Sequence, residues 1–299
     1  MSRKFICFVN PVSGTKNKEA IVKQVQNKIS KAGFSIQIIP TNKEADYLFL
    51  AHKIKSENIT DIIICGGDGS VSQVAAALQG IDVSIGIIPI GSGNGLARAA
   101  GISTNISKAV YIILKGNTNF VDAFYVNNHF SCMLAGLGMD AQIAADFSKQ
   151  KTRGLGTYIQ QGILNFFSAS PFHFSININN KELNTEAFFI SIANSNQFGN
   201  NVTIAPKASL SDGLLDIILV TRMNKAVMIY KVLKQIIAGK PIAFSQAEER
   251  KKEVLYFQAA NLTIKNLSNA PLHLDGEPAE TAKEFDIKII EKAFRLLMP

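Results

Sequence analysis

The chain has 299 residues, of which 47% are hydrophobic, enough to bury the core of one large domain or two ordinary ones. Its net charge of +8 favours anionic partners, but because the basic residues are scattered we expect no nucleic-acid binding. The cysteines Cys7, Cys65 and Cys132 have no metal-ligand spacing and fit a reducing cytoplasm, and we expect neither a signal peptide nor a transmembrane helix.

Short runs rich in Ile and Val alternate with helical patterns through the first 120 residues. This alternation predicts a doubly wound parallel sheet, whose ligands bind beyond the carboxyl ends of the strands. The predicted strands are Phe5–Val9, Phe34–Ile39, Asp61–Cys65 and Ser84–Ile88, and the predicted helices are Lys18–Ala32, Glu44–Ser56, Ser70–Leu78 and Asn94–Ala100.

The pattern changes near Asp122 to strands joined by turns rich in Asn, Gly, Asp and Ser, which indicates a mostly antiparallel second domain. Two helical stretches, about 152–168 and 223–238, interrupt it. The last apolar run, Phe285–Ile290, fits either domain. The other predicted strands are Phe124–Leu134, Phe172–Ile178, Glu186–Ala193, Leu214–Val220, Val254–Ala259, Leu262–Asn266 and Pro271–Leu274.

Two glycine-rich turns follow apolar strands in the first domain, at Gly66–Ser70 and Gly91–Gly95. Glycine lets backbone N–H groups approach an anion, and a helix N-terminus behind the turn adds partial positive charge, so the pair predicts a polyphosphate cradle. Asn10–Gly14 forms either a third wall or an ordinary strand-to-helix turn. The sequence lacks the acid that binds the ribose in a dinucleotide-binding fold, and it contains no P-loop motif.

Several acidic residues lie in turns and have both a structural and a chemical interpretation. Asp68 either caps the following helix or holds Mg²⁺ or a hydroxyl. Asp275 and Glu277 form either an exposed hairpin turn or a carboxylate aimed at a substrate hydroxyl with a neighbour near a metal. Asp212 belongs to a turn or to an oxygen-rich cation site, and Asp140 either faces the acceptor substrate or caps a helix.

Taken in order, these motifs resemble the diacylglycerol kinase catalytic-domain superfamily, which includes bacterial soluble lipid kinases and the sphingosine and ceramide kinases. The resemblance covers nearly the whole chain, from Asn-Pro-x-Ser-Gly to the final Asp-Gly-Glu. It implies an ATP-binding α/β domain over 1–122, with a returning segment at about 285–299. A lipid-substrate β-sandwich would span 123–284, with the active site in the cleft between the two domains.

The resemblance also implies roles for individual residues. Asp275 matches the proposed general base and Glu277 a position near Mg²⁺ and ATP, whereas the sphingosine kinase branch assigns catalysis to Asp68. A structural Mg²⁺ would be held by Asp212 with the carbonyls of Ser209 and Leu214. The implied ATP-binding residues are Asn10, Pro11, Ser13, Gly14, Thr41, Gly66, Gly67, Asp68, Gly69, Ser70, Gly91, Ser92, Gly93 and Asn94.

We therefore expect an ATP- and Mg²⁺-dependent lipid kinase acting on a hydroxyl of diacylglycerol or a related lipid. Gly95 replaces the Asp common in bacterial diacylglycerol kinases, so a sphingoid-base or ceramide kinase is the alternative. NAD kinase and a non-catalytic lipid-binding regulator are more distant ones. We expect a cytoplasmic protein, peripheral at the inner membrane face, with Ile163–Phe174 and Met223–Ala238 as candidate lipid contacts. An edge strand of the second domain offers a route to a homodimer.

Overall fold

The structure is a computed structural model, and it describes residues 3–11, 13–14, 17–41, 47–149, 170–199, 202–221 and 253–299. The chain divides into two compact units. The first comprises Met1–Asp122 and Glu291–Pro299, and the second comprises Ala123–Ile290.

The first unit contains a parallel sheet with the strand order β2-β1-β3-β4 and helices in the connections. Every residue of β3 is buried, as expected for a strand covered on both faces. The elements are β1 (Lys4–Val9), α1 (Lys18–Lys31), β2 (Ser35–Pro40), α2 (Phe49–Glu57), β3 (Asp61–Gly66), α3 (Asp68–Ala77), β4 (Ser84–Pro89), α4 (Gly95–Ala99) and α5 (Ile106–Lys115).

Local capping explains where the helices of this unit begin and end. Asn17 caps α1 by accepting a hydrogen bond from the Ala20 N–H at 3.2 Å. The α5 helix, which the sequence patterns did not predict, has a similar cap at Asn105 and stops at Gly116 with φ of 80°. Helix α3 begins two residues before its predicted start because Gly67 occupies the N-cap position.

The second unit contains a six-stranded antiparallel sheet with the order β14-β13-β10-β7-β16-β17, and further strands pair around β15 and β8. The remaining elements are β5 (Thr118–Val126), β6 (His129–Ser131), β7 (Leu134–Gly138), α6 (Met139–Ser148), β8 (Phe172–Ile178), β9 (Lys181–Ala187), β10 (Phe189–Ala193), β11 (Gln197–Gly199), β12 (Val202–Thr203), β13 (Leu215–Val220), β14 (Val254–Ala259), β15 (Asn261–Asn266), β16 (Leu272–Leu274), β17 (Glu277–Ala279) and β18 (Glu284–Leu297).

Apolar side chains from both groups of strands share one core in the second unit. Ile190 and Ile217 come from the six-stranded sheet, and Ile176 and Ile264 come from β8 and β15. Two sheets that share a core in this way form a sandwich. The predicted fold class, a parallel α/β domain followed by a mostly antiparallel β domain, is therefore confirmed.

Three predicted strands were wrong in extent. Phe124–Leu134 is three strands, because a turn at Asn127, with φ of 53°, separates β5 from β6, and β7 begins only at Leu134. Glu186–Ala193 is divided between β9 and β10, which pair in different sheets. The last strand, β18, is 14 residues long; it pairs antiparallel with β15, and its Arg295 and Leu296 pair parallel with β4.

The helices predicted at 152–168 and 223–238 lie outside the described residues, as do the start of the predicted Glu44–Ser56 helix and most of the two candidate lipid contacts. Within the described ranges, no helix combines the length and the hydropathy needed to cross a bilayer.

Candidate active site

Three of the turns predicted to bind nucleotide meet at the carboxyl ends of β1, β3 and β4. Gly14 has φ of 61°, and a Cβ atom there would overlap the carbonyl oxygen of Ile90. A Cβ on Gly91 would overlap Gly67, and a Cβ on Gly67 would lie 3.1 Å from the Gly91 Cα and 3.6 Å from the Ser13 Oγ. The close approach of these backbones requires glycine, whatever ligand the turns bind.

Hydrogen bonds hold the segments that begin at Asn10 and Thr41 at this edge of the sheet. Asn10 donates its backbone N–H to the Cys65 carbonyl at 3.0 Å and its side-chain Nδ2 to the Ser70 Oγ at 2.8 Å. Thr41, which follows β2, donates its N–H to the Val9 carbonyl at 2.9 Å. The predicted residues that follow β1, β2 and β3 are thus brought to one edge of the sheet.

The side chain of Asn94 closes the second glycine-rich turn through two hydrogen bonds to the Gly91 backbone. Its Oδ1 accepts from the Gly91 N–H at 2.9 Å, and its Nδ2 donates to the Gly91 carbonyl at 2.7 Å. The side chain is buried and its backbone is left-handed, with φ of 50°. Arg98 donates to the Gly93 carbonyl at 3.3 Å. The turn is therefore shaped by its own side chains before any ligand binds.

Asp68 links the two glycine-rich turns. It lies in the first turn of α3, and its Oδ1 accepts from the Leu96 N–H in α4 at 3.2 Å. Gly67 is the N-cap of α3, so the interpretation of Asp68 as the cap of that helix is wrong. A carboxylate held where two helices begin lies beside backbone N–H groups that favour anions.

The predicted residues of the second unit centre on a hairpin turn between β16 and β17. Leu274 pairs with Glu277, which leaves Asp275 and Gly276 as a two-residue loop. Both have positive φ, 49° and 83°, as a type I′ turn requires. Asp275 is partly buried and Glu277 is exposed.

The carboxylate of Asp275 is not a free surface group, because the end of β6 and the residues that follow it surround it with donors. Its Oδ1 accepts from the Ser131 Oγ at 2.7 Å, the Met133 N–H at 3.0 Å and the Leu134 N–H at 3.1 Å. Among the described residues its Oδ2 has a single long contact, 3.4 Å to the Cys132 N–H. Oδ1 therefore orients the carboxylate, and Oδ2 is the oxygen left for a further ligand.

Asp140 lies in the first turn of α6 and is buried rather than exposed to solvent. Its Oδ1 accepts from the Ala141 N–H at 2.8 Å, and its Oδ2 lies 3.4 Å from the Nε2 of His273. Burial raises the pKa of the Asp140 carboxyl, and the contact with His273 opposes that shift. Its predicted contact with the acceptor substrate remains a prediction.

A second carboxylate accompanies Asp212 at the predicted cation site. Asp212 is exposed and its Oδ1 accepts from the Leu214 N–H at 3.1 Å, as in an Asx turn. The side chain of Asp216 is fully buried. Its Oδ1 accepts from Gln258 at 3.2 Å, and its Oδ2 has no hydrogen-bond partner among the described residues. Burial, and secondly the charge of Asp212, raise the pKa of Asp216 to about 7.

A buried carboxylate oxygen without a donor needs a proton or a cation. The Ser209–Leu214 segment and Asp216 offer only oxygen ligands, which suit Mg²⁺ or Ca²⁺. Within the described ranges no group of three or more His, Cys, Asp and Glu side chains is placed to hold a metal ion. The structural Mg²⁺ expected at Asp212 with the carbonyls of Ser209 and Leu214 therefore remains a prediction.

We expect the free energy of unfolding, measured with a chelator present, to fall as the pH rises from about 5 to about 8 through Asp216. Its folded pKa of about 7 exceeds the ordinary Asp value near ~3.9. The stabilisation is therefore complete below the unfolded pKa and is lost as pH rises through the folded one. Thermal unfolding of Asp216→Asn, which keeps an acceptor for Gln258, should show a weaker decline than the wild type. Equal pH slopes in the two proteins would contradict this prediction.

No sequence pattern assigned a functional role to Ser131, Asp216 or His273. Ser131 and Asp216 contact their partners only through the pairing of strands far apart in the chain, so no local signal marks them. His273 stands two residues before Asp275, and strand alternation was the one available hint that the two are related.

Two family models match the chain and together cover most of it. Residues 4–126 match the diacylglycerol kinase catalytic domain, and residues 133–298 match the YegS C-terminal NAD kinase beta sandwich-like domain. The second match alone spans more than half of the chain. The chain belongs to the diacylglycerol kinase family, and it is a kinase of the lipid kinase class.

Known relatives are similar over nearly their whole length. A probable lipid kinase YegS-like from Shewanella frigidimarina is 27% identical, over 96% of this chain and 92% of that protein. A diacylglycerol kinase from Bacillus subtilis is 28% identical, over 93% and 90%. A crystal structure of a diacylglycerol kinase from Bacillus anthracis has a TM-score of 0.75 at 20% identity, over 99% and 97%, and shows the same fold.

Proposed function

We propose that the chain transfers the γ-phosphoryl group of ATP, with Mg²⁺, to a hydroxyl of a membrane-derived lipid, diacylglycerol or a close relative. The observation that carries this proposal is the convergence of the Gly14, Gly67 and Gly91 turns at one edge of the parallel sheet. Phosphoryl transfer depends on positioning and on stabilising negative charge, and closely packed backbone turns at helix N-termini supply both.

Asp275 is the group that we assign to the acceptor hydroxyl. Three hydrogen bonds to its Oδ1 fix the orientation of the carboxylate, and Oδ2 is available to accept the hydroxyl proton. Glu277 is exposed beside it and would act near the phosphates. Asp68, held by the Leu96 N–H in the nucleotide-binding turns, would hold the metal or support proton transfer.

Mg²⁺ bound with ATP would neutralise negative charge on the phosphate oxygens during transfer. Among the described residues of the first unit, Asp68 is the carboxylate placed beside the glycine-rich turns. A second, structural ion would be held at the Ser209–Leu214 turn by Asp212 and backbone carbonyls, where the unpartnered oxygen of Asp216 supports a role for cation binding.

The acceptor lipid resides in a membrane, so we also propose peripheral association of the protein with an anionic membrane surface on the cytoplasmic side. The net charge of +8 supports this proposal, because basic residues near an anionic surface attract the protein to it.

A kinase assay with ATP labelled at the γ-phosphate tests the proposed function. Mixed micelles would carry diacylglycerol, monoacylglycerol, a sphingoid base, ceramide or phosphatidylglycerol separately, with NAD as the soluble alternative. We expect Mg²⁺-dependent label in diacylglycerol or a closely related lipid, and an Asp68→Asn variant as the inactive control.

The other outcomes of this assay separate the alternatives. Label in the sphingoid base or ceramide alone would favour the reading suggested by Gly95, and label in NAD alone would overturn the lipid assignment. ATP binding with no labelled product from any acceptor would contradict a kinase acting on these lipids and favour a lipid-binding regulator.

A further inference from the structure

Beneath the Asp275 turn lies a buried polar pair that the proposed reaction does not use. His273 is on β16 and Asp140 is in the first turn of α6, with 2% and 6% of their surfaces exposed. The Nε2 of His273 lies 3.4 Å from the Oδ2 of Asp140. Burying an imidazole beside a carboxylate is unfavourable unless their polar atoms have partners. The approach of His273 to Asp140 is an ion-pair distance rather than a hydrogen bond, since the Asp140 Oδ2 has no hydrogen-bond partner among the described residues.

A glycine in the neighbouring strand leaves space for this pair. Gly136 on β7 pairs directly with His273 across the sheet. A Cβ atom on Gly136 would overlap both the Asp140 Oδ2 and the His273 Nε2. Any larger residue at this position would displace the two side chains, so the glycine provides the space in which they meet.

The other ring nitrogen of His273 faces the turn itself. The N–H of Gly276 donates to the His273 Nδ1 at 3.3 Å. An Nδ1 that accepts a hydrogen bond carries no proton, so the ring proton of the neutral imidazole is on Nε2 and faces Asp140. The imidazole thus lies between the Asp140 carboxylate and the Gly276 N–H.

We propose that His273 is a positioning residue for phosphoryl transfer, fixing the Asp275–Gly276 turn through Nδ1 while Asp140 holds the imidazole from its other side. This inference rests on the proposed function, because it assigns the turn a role in catalysis. Both turn residues have left-handed backbones, which glycine adopts freely and Asp adopts only occasionally. The Gly276 hydrogen bond opposes relaxation of that backbone.

Three sets of hydrogen bonds then hold the Asp275–Gly276 turn. The Asp275 N–H donates to the Leu134 carbonyl at 2.8 Å, and its Oδ1 accepts from the end of β6 and the residues that follow it. Among the described hydrogen bonds, the contact with His273 is the one that holds the Gly276 side of the loop. Losing it would let Asp275 and Glu277 shift, and displacements of about 1 Å can slow an enzyme ~100-fold.

Two substitutions separate the two ends of the imidazole. In His273→Asn the amide group replaces Nδ1, so its oxygen can accept from the Gly276 N–H while the contact with Asp140 is lost. In His273→Gln the amide reaches the position of Nε2, so the Asp140 contact is kept and the Gly276 bond is lost. Both variants change a buried histidine to an amide and serve as matched controls for stability.

We expect His273→Gln to lower kcat about tenfold or more with the KM for ATP unchanged, and His273→Asn to keep kcat within about threefold of the wild type. Thermal unfolding of each variant shows whether it is folded at the assay temperature. Equal losses of kcat in both variants, or losses that follow their thermal stability, would overturn the positioning role.

Hydrogen exchange of the Gly276 amide, measured on the whole chain, reports on its hydrogen bond to His273 and does not depend on catalytic activity. We expect faster exchange in His273→Gln and near wild-type exchange in His273→Asn. Unchanged exchange in His273→Gln would refute the contact. A wild-type chain that phosphorylates none of the lipids would instead overturn the proposed function and the catalytic role of the turn, while the exchange result would still stand.

Discussion

Replacing Asp275 by Asn is expected to lower kcat by about 100-fold or more while leaving the affinity for ATP nearly unchanged. The amide oxygen of the substituted side chain can take the place of Oδ1 and accept from Ser131, Met133 and Leu134. The amide nitrogen then occupies the position of Oδ2, where it cannot accept a proton. The fold is retained and the proposed base is removed.

The measurement is steady-state turnover with the lipid acceptor together with ATP binding and thermal unfolding. Ser131→Ala is the matched control, because it removes one hydrogen bond from Oδ1 and leaves the Oδ2 atom in place. We expect that control to retain most of its turnover. Normal turnover in Asp275→Asn would remove this residue from the mechanism and leave Asp68 and Glu277 as the candidate bases.

The second large effect concerns the packing of the nucleotide-binding turns. We expect Gly14→Ala to weaken ATP binding at least about tenfold, because the methyl group would overlap the Ile90 carbonyl oxygen and push the Gly14 turn away from the turn that follows β4. Gly80 provides the matched control, since it too has positive φ, 72°, but a Cβ atom there meets nothing within 4 Å.

The two glycines share the strain of a left-handed alanine, which is about 1–2 kcal/mol of unfolding free energy. Only Gly14→Ala adds the steric overlap, so the difference between the variants isolates the contact between the turns. Calorimetric titration with ATP and thermal unfolding measure the two effects. Equal ATP affinities for both variants would show that this approach of the backbones does not shape the nucleotide site.

Much of the first unit was predictable from local patterns alone. The four parallel strands alternate with helices, and their short runs of Ile and Val identify strands buried on both faces. Parallel strands end at the same edge, so the positions of Asn10, Gly66 and Gly91 in the chain already predicted that they would meet. The order of the motifs indicated the family, which the comparisons confirmed.

The second unit was harder to predict because antiparallel strands exchange partners over long distances in the chain. Asn127 and Phe188 interrupt what read as continuous strands, and the pairing of each piece is decided by packing against other strands. The long final strand also exceeded its predicted extent, since its last residues pair with β4 of the first unit.

The residue types that bear the chemistry are thus determined by the sequence itself. Glycines where backbones approach, and acids in the turns that follow strands, are chemical requirements that can be identified from the sequence alone. Tertiary structure alone decided how the acids are used. Asp275 accepts from residues more than 140 positions away, Asp140 is buried against His273, and Asp216 has a buried oxygen with no hydrogen-bond partner among the described residues. Burial and hydrogen bonding depend on which strands pair, and no local pattern contains that information.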